Sequence, residues 1–425
     1  MTVSEQRDLI RRLAGELAGI AGRPEQQEKI NGWKSLNSLR PQRPMLWIME
    51  IPWGEFENQV DELRPQCAEA QLRPIEQELR RKLFTARHLV CDEVVDDTWW
   101  FPLEIVGDGY GVEISEQQIP QGASGVRSHH YESAIKDFAD IEKIQMPRVY
   151  HNEAGTLARR EFLEGLFGDA MPVRASGPRR HWFAAWDTLV RWTGVTEVLM
   201  DLVDRPEFLH ALMRHFTDAV QACLTQYEEL GLLGYPHPLD HGGQGGAGYT
   251  DELPQPGYDP AHIRLMDHWG GATAQIFGEV SPAMHEEFAL QYEIEVMSRF
   301  GLNYYGCCEP LHNKMHLMAK VPRLRKISIS PWCDVAKATA QAQDRYVFSH
   351  KPNPACFAGD RLDLPRAEQE LRSRLEQSGD MPCEVIMKDI STVRGDAQRL
   401  IDWCQMAYRV VKEYPDKAVK ARRKS

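Results

Sequence analysis

Two adjacent cysteines followed by a glutamate are the residues of this sequence that most directly suggest chemistry. Cys307, Cys308 and Glu309 stand in "NYYGCCEPL", where an apolar, strand-like run comes to its end. The pair lacks the C-x-x-C spacing of common metal sites, so by itself it is a weak metal signal. Without wider support, two buried thiols and a helix-capping Glu309 explain these residues better.

Strand-like and helical segments alternate around the pair. Apolar runs such as "AQIFGEV", "LNYYGC", "LRKISISPW" and "RYVFSHKP" precede segments with apolar residues at helical spacing. This alternation predicts a parallel sheet, either a closed (β/α)8 barrel or an open doubly wound sheet. The number of units favours the barrel. The nucleotide-binding open sheets lose support because neither G-x-G-x-x-G nor G-x-x-x-x-G-K-[ST] occurs.

We therefore predict an α/β fold, a (β/α)8 TIM-type barrel with a helical N-terminal extension. Residues 1–90 are assigned to the extension packed on the barrel, because most of that stretch has helical periodicity, and residues 91–425 to the barrel. Chemistry in such barrels takes place on the loops that follow the carboxyl ends of the strands. The segments "GCCEP", "GEVSP", "SPWCD" and "SHKPNPAC" then all face one mouth.

The composition argues against several classes of protein. A formal net charge of -12 and a pI near 5.7 argue against a nucleic-acid-binding surface. No run approaches the roughly 20 consecutive apolar residues of a membrane span. The first residues form an amphipathic pattern without the apolar run of a signal peptide. Nine cysteines without regular spacing do not suggest a disulfide framework. We expect a cytoplasmic protein without nucleic-acid or membrane partners.

Nearly the whole chain resembles the uroporphyrinogen decarboxylase superfamily, most strongly from about residue 180 onward. The resemblance is carried by the order of several segments and not by one diagnostic motif. These segments are "RPMLWIM", "VCDEVVDDTWWFPLEIVGDGYGVEI", "EVLMDLVDRPEFLHALM", "QIFGEVSPAMHEEFALQYEIEVMSRFGLNYYGCCEPL", "ISISPWCDVAKA" and "YVFSHKPNPACFAGD". The resemblance implies the barrel fold and an enzyme.

The two large branches of that superfamily differ in their site residues. True decarboxylases carry an arginine-containing stretch after the first strand, whereas this chain has "MEIPWGEFEN" with Glu50 and Glu55. A tetra-anionic porphyrinogen would meet uncompensated negative charge there. The resemblance therefore points to the corrinoid-dependent methyltransferases, including O-demethylase-like members, which bind zinc through a strand-end His-x-Cys and a later Cys. In "YGCCE" the histidine is replaced by Tyr305 or Gly306.

The resemblance implies a zinc site around the cysteine pair. Cys307 or Cys308 would supply one thiolate, with Cys307 matching the family cysteine better, and Cys356 in "KPNPAC" the second. The candidates for a third ligand are Glu279, Glu309 and His350. Adjacent side chains of an extended strand point to opposite faces, so both cysteines bind one ion only where the strand has already ended.

Aromatic and acidic residues complete the predicted site. Aromatic walls suit the apolar body of a methoxylated ring, although core packing explains any one of them equally well. The substrate-binding candidates are Trp47, Trp53, Trp100, Trp186 and His241. The catalytic candidates are Asp96, Asp97, Tyr305 and Glu309. The two aspartates fall where the superfamily has a strand-end aspartate, and a helix cap explains them about as well.

We expect a methyltransferase that moves a methyl group from a methylated substrate, best a methoxylated aromatic compound, to the cobalt of a corrinoid. Zinc would act as the Lewis acid. No Asp-x-His-x-x-Gly signature occurs, so a separate corrinoid protein would dock at the mouth. The glycines of "LDHGGQGGAGYTDELP" would form a loop over it.

Two other functions stay open at this stage. One is a decarboxylase-like lyase acting on another carboxylated substrate without metal. The other is a binding protein that uses the mouth as a ligand cup. The methyl donor, the direction of transfer and a homo-oligomeric state are also left open by the sequence.

Overall fold

The computed structural model describes residues 1–119, 128–236, 243–342 and 344–414. The strands are β1 Met45–Ile48, β2 Trp99–Pro102, β3 Ile105–Val106, β4 Ser115–Ile119, β5 Ser128–Glu132, β6 Tyr150–His151, β7 Val173–Ser176, β8 His181–Phe183, β9 Trp269–Ala272, β10 Leu302–Tyr305, β11 Leu324–Ile329, β12 Val347–His350 and β13 Cys383–Met387.

Most of these strands alternate with α-helices, as the sequence pattern predicts. The helices are α1 Val3–Ala21, α2 Pro24–Asn37, α3 Trp53–Gln59, α4 Arg73–His88, α5 Glu153–Phe167, α6 Ala185–Thr193, α7 Val195–Asp204, α8 Pro206–Glu229, α9 Pro282–His285, α10 Gln291–Met297, α11 Met315–Met318, α12 Val335–Ala342, α13 Leu364–Gln377 and α14 Gln398–Glu413. A π-helical turn, Glu286–Leu290, joins α9 to α10.

Seven parallel strands form the central sheet, in the order β1, β13, β12, β11, β10, β9, β8. Strands that follow one another from β8 to β13 are spatial neighbours. The last strand of the chain pairs with the first, so that Leu46 lies opposite Val385. This cyclic order is that of a (β/α)8 barrel, and the predicted fold class is confirmed.

The remaining position of the barrel wall, between β1 and β8, is irregular. Residues 89–98 run beside β1 without forming a strand of the central sheet, and the Asp92 amide donates a 2.8 Å hydrogen bond to the Leu46 carbonyl. The strands β2 and β7 pair in parallel as a separate two-stranded sheet. The wall is therefore interrupted on this side, which leaves room for pockets.

Successive side chains of a barrel strand point alternately outward and inward. The outward side chains are mostly apolar, and the inward ones are more polar. In β11, Ile327 and Ile329 are buried in the main core, whereas Lys326 and Ser328 occupy the alternate positions. The outer residues pack against the surrounding helices. The inner residues determine which chemistry the barrel can hold.

The first 90 residues include helices that cover the barrel. Helices α1, α4 and α5 share an apolar cluster that includes Leu13, Leu83 and Phe167. The strand β1 lies within these residues and pairs with β13, so the barrel sheet begins at Met45, well before the predicted boundary at residue 90. None of the described helices is long and apolar enough to cross a membrane.

Candidate active site at the barrel mouth

The inner face of the barrel carries four ionisable side chains, an unusual number for a space that aliphatic side chains usually fill. They are Lys326, Lys351, Glu384 and Lys388, and the side chains between them include Tyr304 and Ser349. All six residues are buried, with at most 3% of their surface exposed. Burial of this many charges is costly unless each is paired, so their partners define the site.

Lys326 and Glu384 form an ion pair in the lower part of the barrel, away from the mouth. Lys326 Nζ lies 2.8 Å from Glu384 Oε2, and both side chains are fully buried. The Lys326 ammonium also stands over the rings of Trp33 and Trp269, at 5.5 and 5.7 Å from their centroids. Each charge is therefore compensated within the barrel.

The glycine-rich segment completes this region. The Gly246 amide donates to Glu384 Oε1 at 3.1 Å, and a Cβ at this position would lie 2.2 Å from a Trp33 ring atom. Only a glycine fits so close to the ring. In its described part this segment packs against the ion pair of Lys326 and Glu384, so the prediction of a loop over the mouth is wrong for residues 243–249.

Lys351 stands one level higher, directly after β12. Its Nζ donates to Tyr304 Oη at 2.9 Å and to the Ser349 carbonyl at 3.1 Å and hydroxyl at 2.5 Å. Burial lowers the pKa of Lys351 to about 7, and the positive charge of Lys388 acts in the same direction. A lysine in this state can gain or lose a proton near neutral pH.

Lys388 is the central residue of the barrel mouth, which we define as the carboxyl ends of the central strands with the loops that follow them. Its Nζ lies 3.5 Å from Cys307 Sγ, 3.0 Å from Asp389 Oδ1 and 3.9 Å from Glu50 Oε2. The Asp389 amide donates to Glu50 Oε2 at 2.9 Å. One buried ammonium therefore holds together the loops after β1, β10 and β13.

The backbone of these loops is strained at Glu50. Glu50 and Asp389 adopt positive φ angles of 56° and 58°. Aspartate tolerates this conformation better than most L-residues, so the strain lies at Glu50, and such strain is concentrated at functional sites. The Glu50 carboxylate is thus held near Lys388 at a cost in backbone energy.

The two cysteines of "GCCE" differ in their ionisation. Their sulfur atoms lie 3.5 Å apart, and Cys308 Sγ lies 3.7 Å from Asp389 Oδ2. The hydrogen bond from Cys308 and the charge of Lys388 lower the pKa of the Cys307 thiol, although burial opposes them. The same hydrogen bond and burial raise the pKa of Cys308. Of the pair, Cys307 is therefore the thiol that loses its proton more readily.

A tight turn after β10 presents this pair to the mouth. Gly306 has a φ of 92°, and a Cβ there would lie 2.7 Å from Leu311 Cδ1. Glu309 closes the turn, because its carboxylate accepts from the Cys307 amide and from Thr273 Oγ1, both at 2.8 Å. Glu309, a predicted catalytic residue, thus positions the cysteine loop.

The other predicted zinc ligands lie elsewhere. His350 is on the outer face of β12, where its ring bonds to Ser378 Oγ at 2.8 Å, because alternation turns it away from the barrel when Lys351 points inward. Cys356 lines a separate cavity of about 450 Å³ next to Arg374 and Trp403. Glu279 is exposed. In the described part of the chain, no three His, Cys, Asp or Glu side chains are grouped to hold a metal ion.

The residues at the mouth do not fit the zinc that the resemblance implies. Of the predicted ligands, only Cys307, Cys308 and Glu309 lie together, and the Glu309 carboxylate already accepts from the Cys307 amide and the Thr273 hydroxyl. Zinc takes four ligands in tetrahedral geometry. The Lys388 ammonium already stands 3.5 Å from the Cys307 sulfur. It supplies the positive charge that compensates this thiolate and would repel a divalent cation. We derive no step through zinc.

Tyr305, a predicted catalytic residue, is behind the barrel wall. Its hydroxyl bonds to His285 Nε2 and to Glu293 Oε2, both at 2.6 Å, within the helical layer. The residue is completely buried. Its neighbour Tyr304 points inward and bonds to Lys351, as alternation along β10 requires.

Three predicted residues line one side pocket in the interrupted wall of the barrel. Trp47, Asp96 and Trp100 share a cavity of about 370 Å³, together with Glu93 and Arg179. Asp96 Oδ2 accepts from Trp100 Nε1 at 2.7 Å. Burial raises the pKa of Glu93 to about 7. The side pocket is polar on one side and aromatic on the other.

Of the remaining predicted residues, three make local contacts away from Lys388, and one lies outside the described residues. Asp97 is exposed and bonds to Thr98 Oγ1 at 3.0 Å. Trp53 packs edge-on against Phe84, and the fully buried Trp186 donates to the Phe288 carbonyl at 3.0 Å. His241 lies outside the described residues.

Sequence reasoning missed Lys351 and Lys388. Both directly follow a barrel strand, in "VFSHKP" and "CEVIMKD". In β13, Glu384 and Ile386 alternate with the outward-facing Val385 and Met387, so counting on by two places Lys388 inside. The sequence signal for Lys388 was therefore a polar residue two positions after an inward-facing strand residue.

Comparison with known proteins gives likenesses to solved structures. No protein-family model matches the chain, and no curated protein matches it. Among solved structures, a methyltransferase from Methanosarcina mazei aligns over 89% of this chain and 97% of its own, with 12% identity and a TM-score of 0.49. The fold assignment rests on the strand pairing of this chain.

Proposed function

We propose that this chain is a methyltransferase that takes a methyl group from an oxygen of a methoxylated aromatic compound and passes it to a corrinoid carried by a separate protein. The observation that carries the proposal is the buried Lys388 ammonium at the barrel mouth, held by Cys307, Asp389 and Glu50. The resemblance in the sequence supports the choice of donor and acceptor.

Breaking a methyl ether requires stabilisation of the leaving oxygen. The reduced cobalt of the corrinoid would supply the electron pair that forms the new bond to the methyl carbon. The carbon–oxygen bond breaks and its electron pair stays on the oxygen, which becomes a phenolate. The Lys388 ammonium is placed to hold this negative charge, and the phenol product takes its proton from solvent.

Cys307 would keep Lys388 charged. An isolated lysine in a buried site tends to lose its proton, as Lys351 illustrates. Lys388 behaves differently, because the negative charges of Cys307, Asp389 and Glu50 outweigh burial and raise its pKa. In this proposal the thiolate is a positioning group and is not itself methylated.

A cavity of about 500 Å³ has walls that suit an aromatic ring, although Lys388 is not among the residues that line it. It lies along β8, the strand beside the interrupted wall, and its lining includes Tyr110, Trp182, Phe183 and Phe300. Asp187 also lines it, and burial raises the pKa of this carboxyl. Aromatic walls with few polar groups suit a planar, substituted ring.

The test is methyl transfer from a panel of methoxybenzoates to free cob(I)alamin, followed by the change in cobalt absorption. We expect Lys388→Met to lower kcat/KM by about 10²-fold or more, as loss of one oxyanion-stabilising donor does. Lys388→Arg should retain part of the activity. Lys320→Met, which removes an exposed lysine paired with Glu286, is the matched control and should be unchanged.

A Lys388→Met variant as active as the wild type would refute the role of the ammonium. Wild-type protein that transfers no methyl group from any donor of the panel would count against the donor class. Each result is interpreted only with variants whose circular dichroism spectra match that of the wild type.

A decarboxylase-like lyase is the second candidate, and the inner lysines favour it. Lys351 and Lys388 face the barrel interior near the mouth, where they would attract a carboxylate although the predicted arginine stretch is missing. Carbon dioxide release from aromatic acids by the wild type, lost in Lys351→Met, would support this function over methyl transfer.

A further inference from the structure

We propose that Cys307 and Cys308 are a modification site that forms a reversible disulfide bond when the protein meets a peroxide. The formation of the bond is independent of the proposed function. Its consequence, the loss of the negative charge that keeps Lys388 protonated, rests on that function.

The geometry brings the two sulfur atoms together without a bond. Cys307 Sγ and Cys308 Sγ are 3.5 Å apart, and a disulfide needs about 2.0 Å. A bond between adjacent residues closes an eight-membered ring whose Cα atoms, about 3.8 Å apart, are closer than in ordinary disulfides. The peptide between the two cysteines must therefore distort, and the strained bond is easily reduced again. Ser328 Oγ donates to the Cys307 carbonyl at 2.6 Å, and Glu309 accepts from the Cys307 amide. The loop therefore keeps both thiols on the same side.

Access and charge make the pair reactive. Cys308 is half-buried at the mouth, and Cys307 retains 7% of its surface. A thiolate and not a thiol attacks peroxides, and the Lys388 ammonium, 3.5 Å from Cys307 Sγ, favours the thiolate form. The neighbouring thiol then stands within contact distance of the oxidised sulfur.

Hydrogen peroxide is the only oxidant that the reaction needs. The Cys307 thiolate attacks one oxygen of hydrogen peroxide, the oxygen–oxygen bond breaks, and the leaving hydroxide takes from solvent the proton that Cys307 had released and becomes water, as Cys307 becomes a sulfenic acid. Asp389 is placed to take the Cys308 proton. The Cys308 sulfur attacks the Cys307 sulfur, the sulfur–oxygen bond breaks, and the leaving hydroxide takes the Cys308 proton to become a second water. Two thiols are oxidised, and one peroxide is reduced to two waters.

Cys356 is the matched control. It is also half-buried, but burial raises the pKa of its thiol to about 11, so it stays protonated at neutral pH. Exposure alone should therefore not lead to oxidation. The difference between the two sites isolates the effect of the neighbouring thiol and of Lys388.

The experiment treats the full-length protein with a small excess of hydrogen peroxide, blocks free thiols with iodoacetamide, and maps the tryptic peptide 300–314, which contains both cysteines. We expect this peptide to escape alkylation and to lose two hydrogens in mass, with full recovery after dithiothreitol. Cys356→Ser should give the same result. Cys308→Ser should instead give an irreversibly oxidised Cys307.

A peptide that remains fully alkylated, or whose oxidation dithiothreitol cannot reverse in the wild type, would overturn the inference. So would a disulfide that joins two chains on a non-reducing gel. The peptide masses do not depend on activity. Disulfide formation in a protein without methyl transfer would refute the proposed function alone, whereas methyl transfer without the disulfide would refute this inference alone.

Discussion

Removing the lysine of the buried ion pair should destabilise the barrel strongly. In Lys326→Met, the Glu384 carboxylate would remain fully buried without its partner at 2.8 Å. Burial alone would raise the pKa of Glu384, but Lys326 and Lys351 hold it below the ordinary value. Loss of one partner of a buried pair costs about 3–5 kcal/mol, and we expect this loss in the free energy of unfolding at pH 7.

The assay is urea denaturation followed by tryptophan fluorescence, with Lys320→Met as a surface control. That lysine pairs with Glu286 at about half exposure, so its removal should cost no more than about 1 kcal/mol. The double variant Lys326→Met/Glu384→Gln should recover part of the loss, since no unpaired charge remains. If Lys326→Met does not fold, Glu384→Gln tests the same pair from the other side.

A loss below about 1 kcal/mol in Lys326→Met would refute the reasoning. It would mean that water reaches Glu384 or that Lys351 takes over the pairing. A double variant as unstable as the single one would also contradict the argument, because the cost would then come from packing of the methionine and not from charge.

Three further predictions concern the site. The pKa of Lys351 is lowered to about 7 in the folded protein, so between pH 7 and about pH 10 the unfolded chain binds more protons than the folded one. The free energy of unfolding of the wild type, relative to that of Lys351→Met, should therefore rise over this range in parallel thermal melts. A difference that does not change with pH would contradict the lowered pKa. Lys388→Met should slow iodoacetamide alkylation of Cys307 about tenfold at pH 7, measured on peptide 300–314, and an unchanged rate would show that Lys388 does not stabilise the thiolate. Gly306→Ala should lower the free energy of unfolding, measured by urea denaturation, by about 1–3 kcal/mol. Gly19→Ala should not lower it, because a Cβ at this position of α1 would meet no atom within 4 Å. Equal effects of the two substitutions would show that the turn at Gly306 does not require glycine.

The alternation of strands and helices was enough to predict the barrel, because each strand must bury an apolar outer face and each helix an apolar stripe. The cysteine pair and Glu309 follow the end of β10, and the structure places them at the mouth; their roles stay predictions. The side pocket unites Trp47, Asp96 and Trp100, which were singled out for separate reasons.

The failures have one physical cause. Two adjacent strand residues face opposite sides, so an error of one position exchanges the inside for the outside. His350 and Tyr305 were predicted at the site and face the helices, whereas their neighbours Lys351 and Tyr304 face the barrel. The interrupted wall between β1 and β8 had no local signal, because residues 89–98 contain strand-forming residues.

The sequence by itself determined the fold class and the edge of the barrel at which the cysteine pair lies, because hydrophobic periodicity and the position of a residue after a strand are local properties of the chain. Tertiary structure alone decided which charges meet. Lys388 comes close to Cys307 and Glu50 only when β13 lies near β10 and beside β1 in the folded barrel. The chemistry of the mouth arises from contacts between residues that are far apart in the sequence, and no local pattern encodes those distances.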